Sequence, residues 1–195
     1  ASSLDVGLSE AAMLAGSTLR AFGLDASETS RVVDVMAKSS SQSALDFSGL
    51  QESLKLVAPT SRALGVSLEE TTAYLGVLAD NGLKGSIAGT GLSKSFIQLT
   101  KAGIPLNEAL DKVRNSSNQL NTAVELVGVV GAKSLLTLAN NAPRIDKLKT
   151  SLDNAEGSAK NLAETRLDNL AGDTTKLASA WEGFLLSIED GEGLF

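Results

Sequence analysis

The residues best placed for chemistry are the glycines of one short run. Gly85-Ser86-Ile87-Ala88-Gly89-Thr90-Gly91-Leu92-Ser93-Lys94-Ser95 combines flexible backbone, hydroxyls and a lysine. Those are the groups that cradle a phosphate through backbone N–H donors and a point charge. The spacing argues against it. A phosphate loop needs Gly directly before its Lys, where Ser93 stands; a dinucleotide fingerprint needs its third Gly where Lys94 stands, after a strand. The run therefore reads as a connector and helix start, with Thr90 as N-cap. The chain has no Cys and no His, which removes thiol nucleophiles, imidazole bases, disulfides and most zinc sites together. Carboxylates are spread singly, as at Glu69, Glu70, Asp111 and Asp146, with no pair framed to hold two different pKa values. They read as helix caps and solvated faces. Lys147, Lys149 and Lys160 are interleaved with Asp146, Asp153 and Glu156 and form no basic stripe. A net charge of −6 and a pI near 4.7 suit a phosphate backbone poorly, so no direct nucleic-acid binding is expected. No catalytic, cofactor-binding or metal-ligating residue is assigned, and the chain reads as a non-enzyme.

The elements that carry these residues are organised by an internal repeat. Shifted by 42 positions, the chain matches itself without a gap. Gly7-Leu8-x-Glu10 aligns with Gly49-Leu50-x-Glu52, Thr18-x-Arg20-Ala21-x-Gly23 with Thr60-x-Arg62-Ala63-x-Gly65, and Glu28-Thr29 with Glu70-Thr71. A fixed period of this length predicts stacked helix–turn–helix units. In each unit the first helix ends at a glycine, Gly23 or Gly65. The second opens on a capping box, Asp25-x-x-Glu28 or Ser67-x-x-Glu70. Leu54 falls on the apolar stripe of the second unit. Ser39–Ser43 and Asn81–Gly91 read as the unit connectors, and Pro59 should kink its helix. A third unit is four residues shorter, with Gly103-Ile104-x-Leu106 matching Gly65-Val66-x-Leu68 at an offset of 38. Gln119–Val130 and Ala132–Ala139 then read as two apolar helical segments. There is no run of 18 apolar residues, so no membrane span is expected.

After Asn140-Asn141 the texture changes. Leu148, Leu152, Ala155, Ala159, Ala163, Leu167, Leu170, Thr174, Leu177, Trp181, Phe184 and Ile188 follow steps of four and three, a heptad seam with one stutter. This predicts either one helix from Pro143 to Ile188, about 70 Å long, or a helical hairpin broken at one of its weak points, Gly157 and Gly172. Trp181 then belongs to the seam, not to a Trp-x-Gly turn. The expectation is an all-α chain with a helical repeat region over 1–142 and a long amphipathic segment over 143–195. The seam would support self-association, and both ends read as cuts in a much longer protein.

Several blocks carry a resemblance. Asp46-Phe47-Ser-Gly-Leu50-Gln-Glu-Ser-Leu54-Lys55 with Arg62-Ala63-Leu64-Gly65-Val66-Ser67 resembles the core module of tailed-phage tail tape measure proteins. So does Leu78-Ala79-Asp80-Asn81-Gly82-x-Lys84-Gly85-Ser86-x-Ala88-Gly89-Thr90-Gly91-Leu92, although that family usually carries Ala and Arg where this chain has Gly91 and Ser93. Glu125-Leu126-x-Gly128, Leu138-Ala139-Asn140-Asn141 and Asp168-Asn169-Leu170-x-Gly172-Asp173 are similar to later family segments. The resemblance implies a virion protein held inside the tail tube, whose length sets tail length and which leaves ahead of the DNA. It implies assembly chaperones in the host bacterial cytoplasm, and tail tube and tail-tip or baseplate proteins as partners. The competing reading is an α-helical repeat adaptor that binds a partner protein along a concave face.

Overall fold

The computed structural model describes the backbone of residues 3–162 and Thr165, with side chains from Met13 onward in that range. Among the described residues, α-helices follow one another from Ser3 to Asp153: α1 (Ser3–Phe22), α2 (Thr29–Gln42), α3 (Phe47–Ala63), α4 (Leu68–Asp80), α5 (Gly85–Ala102), α6 (Leu106–Arg114), α7 (Gln119–Ala139) and α8 (Ala142–Asp153). No strand occurs among the described residues, so the chain is all-α. The chain divides into two compact units, 1–159 and 160–195. These helices all lie in the first. There α1, α3, α5 and α7 pack each on the next as a row, α6 closes against α7, and α2, α4 and α8 pack together beside the row.

The turns follow from sequence. Gly23, Gly65 and Gly103, aligned by the offsets of 42 and 38, have φ of 68°, 69° and 65°. In each, the residue after the glycine donates its N–H five residues back: Leu24 to Leu19 (2.9 Å), Val66 to Ser61 (2.9 Å) and Ile104 to Leu99 (3.0 Å). Only glycine enters this left-handed conformation cheaply, and it satisfies carbonyls the helix end would leave open. The second helices of the two units differ more. Asp25 accepts from Ser27 N across a 3-10 turn (Ala26–Glu28) and makes no capping box with Glu28, whereas Ser67 accepts from Glu70 N at the start of α4. The connectors are shorter than expected. Ser39, Ser40 and Ser41 return their hydroxyls to carbonyls three residues back, so the serine run stays helical to Gln42. Gly85–Gly91 is already α5. Pro59 sits inside α3 without ending it; Pro59 and Lys55, whose carbonyl it leaves unbonded, are both exposed, so water can serve that carbonyl.

The later chain departs from expectation in two places. In α7 the irregularity falls at Gly128 (φ 71°, ψ 171°), while Gly131 is helical and buried. By length and hydropathy α7 could reach across a membrane core, which qualifies the expectation of no span; the helix is interrupted at Gly128 and packs on α5 and α6. The second is a break near Gly157, one of the two expected weak points, so the undivided helix of about 70 Å does not form. α8 ends at Asp153, Gly157 turns with φ 76°, and helical backbone resumes at Ser158. Leu148, Leu152 and Ala155 of the seam are buried inside the first unit and are not available for self-association. The seam from Leu167 to Ile188, including Gly172 and Trp181, lies outside the described residues, as does Ala163.

Row spacing is set by small residues. A Cβ on Gly89 would stand 2.6 Å from the Ser53 carbonyl oxygen and 2.8 Å from Ser53 Cα. Ser53 Oγ donates to Gly85 O across the α3–α5 contact (2.8 Å), and Ser95 Oγ to Gly131 O across α5–α7 (3.2 Å). Ser53 and Ser95 are 42 positions apart. Gly89→Ala should therefore lower stability by about 1–3 kcal/mol, since backbone must move. Gly16→Ala, whose Cβ meets nothing closer than 3.8 Å, should be neutral or stabilising by up to about 1 kcal/mol. Leu54→Ala, at a fully packed position, should cost roughly 2–5 kcal/mol. Denaturant unfolding of the three variants measures all of these; equal stability of the two glycine variants would contradict close helix approach at Gly89.

Candidate functional site

The run that invited a phosphate reading is a packing surface. Gly85–Ser95 forms the first turns of α5; Thr90 lies inside the helix and does not cap it, and the N-cap residue is Lys84. Gly85, Gly89 and Gly91 are buried, and a Cβ on Gly91 would stand 2.1 Å from Ser134 Oγ of α7. The concavity a phosphate needs is filled by α3 and α7. Lys94 is exposed.

A polar cleft of about 430 Å³ lies beside α2, the start of α4 and the end of α8. Its lining includes Glu28, Asp34, Glu69, Asp153 and Glu156 against one cation, Arg31. Each buried charge there has a structural partner. The Arg31 guanidinium joins Glu28 and Glu69, tying α2 to α4. Asp34 is 7% exposed and accepts the backbone N–H groups of Gly157 (3.1 Å) and Ala159 (2.9 Å). Lys149 pairs with Asp153 at 3.0 Å, which raises its pKa above the ordinary lysine value. On the far end of α4, Asp80 accepts from Ala44 N (2.7 Å) and from the Arg144 guanidinium (2.8 and 3.0 Å), and Arg144 also reaches Gln42 O. One carboxylate thus joins α4, the α2–α3 connector and α8.

The carboxylates singled out in the sequence are not brought together. Glu69 binds Arg31, Glu70 accepts the Tyr74 hydroxyl at 2.6 Å, Asp111 pairs with Arg114, and Asp146 is exposed. Among the described residues no group of three or more metal-ligating side chains is arranged to hold an ion. Trp181 lies outside the described residues. Sequence reasoning missed Asp34 and Asp80. The signal for Asp34 was present: it interrupts the apolar run Val32-Val33-x-Val35-Met36, where a charge must face the core or a partner. This arrangement joins helices; it presents no nucleophile with a base.

The sequence profile of a family described as phage-related minor tail protein matches residues 1–183. The tape measure protein of Pneumococcus phage Dp-1 is 32% identical over 102 residues, which cover 49% of this chain and 9% of that protein. The chain therefore spans only a small part of that relative's length. No solved structure matches the chain.

Tyr74 offers a direct probe of the α4 environment, because it is the chain's single tyrosine. Its ring packs edge-on against Phe96, with centroids 6.2 Å apart at 75°. Burial, and then the Glu70 carboxylate that accepts its proton, push the hydroxyl far above the ordinary tyrosine value. The unfolded chain loses this proton near pH 10 while the folded chain keeps it, so stability should fall as pH rises above about 10. Phenolate absorbance should appear together with unfolding, and Tyr74→Phe should remove that part of the pH dependence. A reversible ionisation near pH 10 in the folded chain would contradict it.

Proposed function

The chain belongs to the phage-related minor tail protein family, and we propose that it is a helical module of a tail tape measure protein, acting as a spacer whose residue count matters more than its surface chemistry. The family makes it a structural, virion-associated protein of a phage tail. The tape measure reading rests on the likeness to the Dp-1 tape measure protein. It is supported by a fold whose polar groups are spent on joining helices. Its partners on this reading are the tail tube protein around it, the tail-tip or baseplate proteins at its end, and assembly chaperones that hold it in the host cytoplasm before the tube forms. Catalysis has no place in the reading, and no residue is assigned to it. Helical protein converts residue count into length at about 1.5 Å per residue.

The test is an in-frame deletion of residues 49–90 in the parent phage, with tail length measured by electron microscopy. Extended as helix, those 42 residues correspond to about 63 Å, and the tail should shorten by that amount. A module that stays as a helix-pair stack gives a much smaller shortening. Tails of unchanged length on viable particles would refute the spacer role.

A further inference from the structure

The apolar positions Ile145, Leu148, Leu152, Ala155 and Ala159 step by three, four, three and four. That is the pattern of one uninterrupted helix. The backbone nevertheless leaves the helix after Asp153: Asn154 has φ −111° and ψ 42°, and Gly157 is left-handed at φ 76°. Local sequence accounts for little of this break, since a glycine in a helix interior costs only about 1 kcal/mol relative to alanine.

The force that holds the break comes from elsewhere in the chain. Asp34, on α2, lies more than a hundred residues away in sequence, and its two carboxylate oxygens accept Gly157 N and Ala159 N. In an uninterrupted helix the same two N–H groups would donate to the carbonyls of Asp153 and Ala155. The donors are satisfied in both arrangements, and only the acceptors change. The choice between them therefore turns on Asp34 and on the burial of Leu152 and Ala155 against the first unit. Charge-assisted bonds to a buried carboxylate are about twice as strong as neutral ones, which favours the turn while α2 is in place.

We propose that Asp34 is a conformational latch: it holds residues 154–157 in a turn, and its release converts the stretch from Ala142 to Ala159 into a single helix. That helix would be about 27 Å long, and α8 would no longer end at Asp153. The inference does not depend on the spacer reading, because it concerns an equilibrium within the isolated chain.

The experiment is backbone NMR on the isotope-labelled 195-residue chain and its variants. In the wild type, residues 154–157 should show turn-type Cα shifts. In Asp34→Ala the shifts of residues 154–157 should move to helical values, with a new Hα–Hβ contact from Asp153 to Glu156 and a new Hα–amide contact from Asn154 to Gly157. Should Asp34→Ala fail to fold, Asp34→Asn decides. It keeps the side-chain volume but offers one uncharged acceptor oxygen to the two N–H groups of Gly157 and Ala159. It too should move the shifts of residues 154–157 toward helical values. Turn-type shifts retained at 154–157 in a folded Asp34→Ala or Asp34→Asn, or random-coil shifts in place of helical ones, would overturn the latch.

Discussion

The structure depends on α4 having no free side. From Leu68 to Ala79 every residue but Glu70 is buried, and α2, α3, α5, α7 and α8 all pack on it. A helix enclosed on all sides cannot be amphipathic, and its neighbours must accept whatever small or polar groups it presents. Gly76 shows how tight this is: a Cβ there would stand 2.5 Å from Leu148 Cδ2 of α8. Thr71 and Thr72 are fully buried, and their hydroxyls have no hydrogen-bond partner. Each such group costs about 1–3 kcal/mol. That cost is offset by the apolar surface of Ala73, Leu75, Val77 and Leu78, each completely buried.

Charge is placed where this central helix meets the rest. Glu69 at its first turn holds α2 through Arg31, and Asp80 at its last turn holds α8 through Arg144. Glu70, the partly exposed exception, is used internally on Tyr74. Near-surface ion pairs of this kind add little stability by themselves. Their value here is positional. Each fixes the register of a neighbouring helix against a core whose other contacts are non-directional.

The sequence made the local structure legible and left the long-range structure dark, for a physical reason. Gly23, Gly65 and Gly103 end helices because a left-handed residue is needed there, and a glycine in that place is a local signal. The Ser39–Gln42 run misled because serine prefers caps and turns, yet its hydroxyls can return to the helix's own carbonyls. The glycines at 85, 89 and 91 misled in the opposite sense. Flexibility and close approach leave the same mark on a sequence, and only the neighbouring Ser53 and Ser134 show that close approach is the use made of them. Gly157 marked where the last helix could break, but what holds the break, Asp34 on α2, is not legible in residues 142–159.

These contacts bear on how such a module could contribute length. An open helical array grows by adding units, because each repeat touches only its neighbours. The first unit is not open in that sense. α8 returns to α2 and α4, with Arg144 bonded to the carbonyl of Gln42 across more than a hundred residues, and it closes the side on which α4 would otherwise be exposed. On the spacer reading, α8 is the part that would have to leave for the module to extend, and its departure would uncover the α4 face at Gly76, which Leu148 now covers. Apolar surface exposed in that way needs a new cover. Extension and the gain of a partner would then be one event, because the contacts that keep α8 against α2 and α4 are those a partner would have to replace.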